Sequence, residues 1–244
     1  MLLLTPGVPR IDPQLSNDQV LWRYMDLPSC LSVFASRAIH FRRGDCFSDK
    51  HEGAFTLSVK QKIESSIAKH TLQTSYSELK EKLRQRVFIS CWHASIDESM
   101  AMWALYGKGA LSIAVTTTVG QLADELRKAK IPHPLAIEKV KYIKHWRNPK
   151  ISISPYSNVF KYKVKAYAFE KEVRVIIDRM DQDWDEVVTE DGMSVQVMPQ
   201  HLIRSIVVSP DAPEWFHSVV TEVVSKFGLS PALVRRSKLS FSPL

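Results

Sequence analysis

Phe169-Glu170-Lys171-Glu172-Val173-Arg174, running on into Val175-Ile176-Ile177, is the stretch on which the reading of the fold turns. It is rich in aromatic and β-branched residues and bounded by Tyr167-Ala168 and Asp178-Arg179, so it predicts a β-strand. Side chains alternate along a strand. Glu170, Glu172 and Arg174 therefore share one face, while Lys171, Val173, Val175 and Ile177 share the other, whose apolar end turns to a core. Two carboxylates about 7 Å apart by strand rise, beside a guanidinium, make the wall of a reaction site. The same pattern also suits a solvated strand face on which Glu172 and Arg174 pair, contributing at most ~1 kcal/mol.

The chain around this strand has 244 residues, 45% apolar and 24% charged, the balance of a globular protein with a substantial core. Six Trp and ten Phe argue against disorder, and no segment repeats or is of low complexity. The net charge of +7 favours an anionic partner. Its excess is uneven. Lys139, Lys141, Lys144, Arg147, Lys150, Lys161, Lys163 and Lys165 fall in a stretch without acids, and Arg235-Arg236-Ser237-Lys238 forms a second basic cluster. Between them, 178–191 is acidic, with Asp178, Asp181, Asp183, Asp185, Glu186, Glu190 and Asp191. Cys30, Cys46 and Cys91 are odd in number and form no C-x-x-C, so neither a disulfide framework nor a metal site is expected, although Cys91 and His93 are near each other. Leu2-Leu3-Leu4 is too short for a signal-peptide core and no apolar run reaches membrane-spanning length, which predicts a cytoplasmic protein without a membrane partner.

Residues 1–19 are Pro-rich and read as a surface arm, leaving 20–244 as a single α+β domain. Strands are expected at 20–25, 38–41, 87–92, 111–116, 140–143, 194–198 and 203–209, besides the one quoted above. Helices are expected at 29–36, 58–69 and 76–85, and Pro213, next to the cap Asp211, opens a last helix that ends at Lys226-Phe227 with Gly228 as its stop. Ser95-Ile96-Asp97-Glu98 and Thr118-Val119-Gly120-Gln121 have the spacing of capping boxes, each opening a helix; the first would carry Met102, Trp103 and Tyr106 on one buried stripe. The fold class that follows is α+β, a mixed and mostly antiparallel sheet with helices packed on it. No G-x-G-x-x-G, Walker loop, H-E-x-x-H or G-x-S-x-G occurs.

Five motifs in order resemble the bacterial domain-of-unknown-function family 2971: Leu21-Trp22-Arg23-Tyr24, Phe41-Arg42-Arg43-Gly44-Asp45 with Phe47-Ser48-Asp49 and Glu52-Gly53, Ser90-Cys91-Trp92-His93, Met102-Trp103-Ala104-Leu105-Tyr106-Gly107, and Phe169 to Arg174. That family brings no established activity. An Arg in a first strand, a Ser in a middle strand and a late E-x-E strand also resemble the Arg-Ser-Glu type of NAD-dependent ADP-ribosyltransferase. This second resemblance implies that Arg23 anchors NAD, Ser90 is the middle-strand serine, Glu172 is the catalytic carboxylate and Glu170 its partner facing the acceptor. It also implies Tyr24, Trp103, Tyr106 and Arg174 as further dinucleotide contacts, and no metal. A cation-like transition state wants a fixed carboxylate and a pyrophosphate wants a guanidinium. The Ser-Thr-Ser triplet typical of such enzymes is reduced here to Ile89-Ser90-Cys91.

Three functions are thus weighed. The first is an enzyme acting on a nucleotide or dinucleotide, an ADP-ribosyltransferase-like toxin or phage-defence effector or an NAD glycohydrolase, with a neutralising or effector-complex protein as partner. For it, Glu172 is expected to be required for activity and dispensable for folding. The second is a non-catalytic nucleic-acid-binding protein using Lys139–Lys165 and Arg235–Lys238, with Lys161, Lys163 and Lys165 as a stripe along a phosphate backbone. The third, a metal nuclease built on Asp45 or Asp49 with Glu170, is disfavoured because Lys171 points away from the acid face.

Overall fold

A computed structural model describes residues 6–49, 51–69, 74–146, 149, 151–180 and 188–240. In chain order the elements are β1 (Arg10–Ile11), β2 (Val20–Asp26), α1 (Leu27–Ser36), β3 (Ala38–Arg43), α2 (Leu57–Ala68), α3 (Tyr76–Arg84), β4 (Val87–Ala94) and α4 (Met100–Met102). They continue with β5 (Ser112–Thr118), α5 (Val119–Lys128), β6 (Leu135–Lys139), β7 (Lys141–Ile143), β8 (Tyr162–Val164) and β9 (Glu172–Asp178). Last come β10 (Gly192–Gln196), α6 (Pro199–Leu202), β11 (Ser205–Val208), α7 (Glu214–Lys226) and β12 (Val234–Arg236). The class is α+β, and most strand pairs are antiparallel.

Contacts divide the chain into two units: residues 1–12, 40–90 and 131–193, and residues 13–39, 91–130 and 194–244. In the first unit β6 pairs antiparallel with β9, Ile137 opposite Val175 and Glu138 opposite Arg174. β1 adds in parallel on the far side of β6, and β4 follows β9 in the strand order. Val173, Val175 and Ile177 are fully buried, as alternation requires. The polar face of β9 is buried as well, Arg174 completely, because the 51–53 turn and the 3-10 segment Tyr156–Lys161 cover it. A smaller parallel pair, β7 with β8, sets Tyr142 opposite Lys163.

In the second unit β2 lies antiparallel against β5 along its whole length, Val20 opposite Thr118 and Asp26 opposite Ser112. β11 pairs antiparallel with β5, and β12 in parallel with β11. Asp26 closes the N-terminus of α1 by accepting from Ser29 N–H at 2.9 Å, and Thr118 does the same for α5 by accepting from Gln121 N–H at 3.2 Å.

Local differences from the sequence reading have physical causes. The quoted strand starts at Glu172 rather than Phe169: Lys165–Glu170 winds as a 3-10 turn, and Lys171 sits in the left-handed region at φ 41°. Glu170 is therefore off the strand. Arg10–Ile11, inside the expected surface arm, forms a strand on β6 whose neighbour Asp12 is buried. Ser95 caps no helix: α4 begins at Met100 with Ser99 as its cap, and Glu98 is used elsewhere. The Met102–Tyr106 stripe does not form either, since Trp103–Gly107 winds as a π-turn that buries Trp103 and leaves Tyr106 exposed. Leu135–Lys139 reads poorly as a strand behind Pro132 and Pro134, yet it is the β6 partner of β9. Arg147, Lys150, Asp181, Asp183, Asp185 and Glu186 lie outside the described residues.

Candidate active site

Glu172 opens β9 with both carboxylate oxygens engaged. Arg174 donates from Nε to Oε1 at 2.9 Å and from Nη2 to Oε2 at 3.0 Å. The same guanidinium forks onto Glu52, Nη1 to Oε2 at 2.7 Å and Nη2 to Oε1 at 2.6 Å, and also reaches Phe160 O at 2.8 Å. Lys163 Nζ bridges the two glutamates of the E-x-E motif, 2.5 Å from Glu170 Oε2 and 3.3 Å from Glu172 Oε2. Glu52, Glu170, Glu172, Lys163 and Arg174 are all buried. Burial opposes the charge of Lys163, but Glu172 and Glu170 outweigh it and hold its pKa above the ordinary value. Tyr142 completes the cluster by accepting from Glu172 N–H at 2.8 Å; burial pushes its phenol up to about 12. Charges taken out of water in this way persist only with their partners in place.

So the structure brings Glu170, Glu172 and Arg174 together, although from a turn and a strand rather than one strand face. Ser90 is buried on β4 in the same unit. Two members were not singled out as site residues. Lys163 looks like a phosphate-facing residue in sequence, and Glu52 stands in a loop with nothing local to mark it as the partner of an arginine 122 residues on. The basic stripe is corrected accordingly: Lys163 is a buried counter-ion, Lys161 pairs with Glu138 at 2.9 Å, and Lys165 alone of the three is exposed. Asp45 is spent on Arg43 at 2.6 Å and Asp49 accepts from His51 N–H, so both shape turns, against the nuclease reading. Among the described residues no group of three His, Cys, Asp or Glu side chains is placed to hold a metal ion, and no helix is long and apolar enough to cross a membrane.

Arg23 belongs to the second unit. It is half-buried at the middle of β2, its guanidinium 5.7 Å from the centre of the Trp92 ring, and burial lowers its pKa while Cys91 opposes the shift. Around it Met25, Cys30, Ile39, Trp92 and Val115 wall a small apolar pocket with room for a single water-sized group. A cation desolvated against such walls gains from any anion that reaches it. Next to it on β2, Tyr24 meets Trp103 edge-on at 4.9 Å, stacks with Trp22 at 6.0 Å and lies 6.0 Å from the His93 ring. Burial also pushes the Tyr24 phenol up to about 12. Trp103 is pinned through Nε1 to Glu98 Oε2 at 3.2 Å, and Glu98 also holds Ser237 Oγ and Lys238 N–H. Tyr24 and Trp103 are thus core residues first, whereas Tyr106 is exposed.

No family model matches the chain, the family 2971 model included, and no curated protein matches it. Among solved structures the chain is similar to DarT from Thermus sp. 2.9 in complex with carba-NAD+, at 8% identity and a TM-score of 0.40 over 92% of this chain and 97% of that one. It is similar also to Thermus sp. 2.9 DarT in complex with ADP-ribosylated ssDNA, at 10% identity and a TM-score of 0.35 over 91% and 94%. A likeness of this size leaves the chemistry to be read from the chain's own residues.

Proposed function

We propose that this chain is an ADP-ribosyltransferase-like enzyme that uses NAD as co-substrate, with Glu172 as the catalytic carboxylate. The observation that carries the reading is the grip on Glu172: Arg174 fixes the carboxylate plane from one side, and Oε2 also faces a more distant cation, Lys163 at 3.3 Å. In the reaction the bond between ribose C1′ and the nicotinamide nitrogen breaks, the electron pair leaves with neutral nicotinamide, and positive charge develops on the ribose. That cation takes the place of the Lys163 ammonium beside Glu172, and Lys163 withdraws onto Glu170, to which it is already bound more closely. A carboxylate that is already oriented needs no reorganisation as the charge appears. An acceptor hydroxyl or ring nitrogen then attacks C1′ and its proton passes to solvent; with water as acceptor the same step is NAD hydrolysis. The resemblance assigns Arg23 to the pyrophosphate and Tyr106 to the dinucleotide, while Tyr24 and Trp103 are core residues of their own unit and Ser90 is buried on β4.

The test is nicotinamide release from NAD by the purified protein, with and without a cell extract as acceptor. Glu172→Gln should abolish release while near-ultraviolet circular dichroism stays native. Arg23→Ala should raise KM for NAD more than it lowers kcat, because it removes binding to a part of NAD that does not react. Unchanged release by Glu172→Gln would remove the assignment.

A further inference from the structure

His51 and Trp146 lie nearly parallel, 12° between ring planes and 6.0 Å between centroids. Neither belongs to the carboxylate cluster, yet the first is held by it. His51 stands in a turn closed by its own N–H donating to Asp49 Oδ1 at 2.9 Å, with Ala54 N–H donating back to His51 O at 3.0 Å. The next residue, Glu52, is bidentate to Arg174, and Gly53 sits at φ +65° where a Cβ would lie 2.7 Å from Phe160. Tyr156 donates to Gly53 O at 2.6 Å. A turn nailed down from beneath at two successive residues therefore presents an exposed imidazole at its tip. Trp146 is half-buried, its Nε1–H has no hydrogen-bond partner among the described residues, and its ring lies parallel to and offset from that of His51.

The approach to this stack is basic. Lys139, Lys141 and Lys144 are exposed and make no ion pair among the described residues, unlike Lys161 and Lys163. Lys139 and Lys141 are two residues apart in extended chain, ~7 Å by strand rise, a spacing suited to successive phosphates of a strand. A rigid aromatic face at the end of a run of unpaired lysines combines the two elements of single-strand recognition, stacking for the base and cations for the backbone. We infer that His51 and Trp146 form a stacking platform for an unpaired base of a single-stranded nucleic acid, whose phosphates run along Lys139, Lys141 and Lys144.

The experiment is fluorescence anisotropy of labelled twelve-nucleotide oligothymidylate and oligouridylate titrated with the full chain, without NAD. The wild type should bind with an affinity that falls as salt rises. Trp146→Ala should weaken binding about tenfold or more, and His51→Ala should weaken it less. Lys139→Gln with Lys141→Gln should weaken binding and flatten the salt dependence. Near-ultraviolet circular dichroism and nicotinamide release by Trp146→Ala should match wild type, which separates a lost platform from a lost fold. No binding by the wild type, or equal binding by Trp146→Ala, would overturn the proposal. So would displacement of the oligonucleotide by NAD alone, which would assign the stack to the dinucleotide. Because binding is read without NAD, failure here leaves the transfer chemistry standing, and failure of that chemistry leaves the platform standing.

Discussion

Arg174 shows how one buried side chain ties catalysis to stability. It is fully buried, forks onto Glu52 and holds Glu172, so its removal takes a bidentate cation from Glu52 and leaves Glu172 with the more distant Lys163, away from water. Arg174→Met should cost about 3–5 kcal/mol in urea unfolding, and a loss below ~1 kcal/mol would show that water reaches the cluster. Glu172 was expected to be dispensable for folding. Because it shares this network, Glu172→Gln should lower stability while still folding, since the amide keeps the shape. The E-x-E-x-R pattern of residues 170–174 was legible in sequence, including the apolar face of β9. What could not be read was the cover on the polar face, because Glu52 comes from a distant turn and Lys163 from β8, and only folding brings the two together. Lys163 makes a further prediction. Its folded pKa is raised, so its contribution is fully present below the unfolded value of 10.5 and is lost only as pH rises through the folded value. The stability difference between wild type and Lys163→Met should accordingly be flat from pH 6 to 9 and shrink only in strong alkali; a decline already at pH 8 would contradict it.

At the scale of elements, α1 and the π-turn carry the separable tests. Asp26 caps α1 through Ser29 N–H and pairs with Lys108 Nζ at 2.9 Å. Those bonds, the Ser29 ones first, pull its carboxyl down to about 2 from 3.8. Asp26→Ala should cost about 1 kcal/mol at neutral pH. A depressed carboxyl stabilises above its unfolded pKa and loses that contribution as pH falls through the folded one. The gap between wild type and variant should thus hold above pH 4 and close toward pH 2; a gap independent of pH would show that neither bond is made by the ionised group. Trp103→Ala should cost about 3–5 kcal/mol through the cavity it leaves beside Tyr24. A variant melting within a degree or two of wild type would contradict the buried position. The burial of Trp103 was legible from its apolar neighbours, but its helix was not. Trp103–Gly107 ends in Lys108 at φ 61°, and the π-turn that follows from this local winding turns Tyr106 outward. Thr118 was more readable because a cap is made by the residues beside it.

For the whole molecule, the α+β class and the longer elements, β1 and β6 excepted, follow from periodicity and turn residues, which are local signals. The division into two units does not, because each unit is assembled from three separate stretches of chain, and β3, β4 and β10 pass from one to the other. The central claim is NAD-dependent transfer with Glu172 as its carboxylate. The most direct measurement is nicotinamide release from NAD by wild type and Glu172→Gln, both verified as folded at the assay temperature by near-ultraviolet circular dichroism. The account predicts release by the wild type and a rate at least ~100-fold lower for the folded variant, the scale of losing one electrostatic stabiliser of the transition state. Folded Glu172→Gln releasing nicotinamide at the wild-type rate, or folded wild type releasing none with any acceptor in the extract, would contradict it.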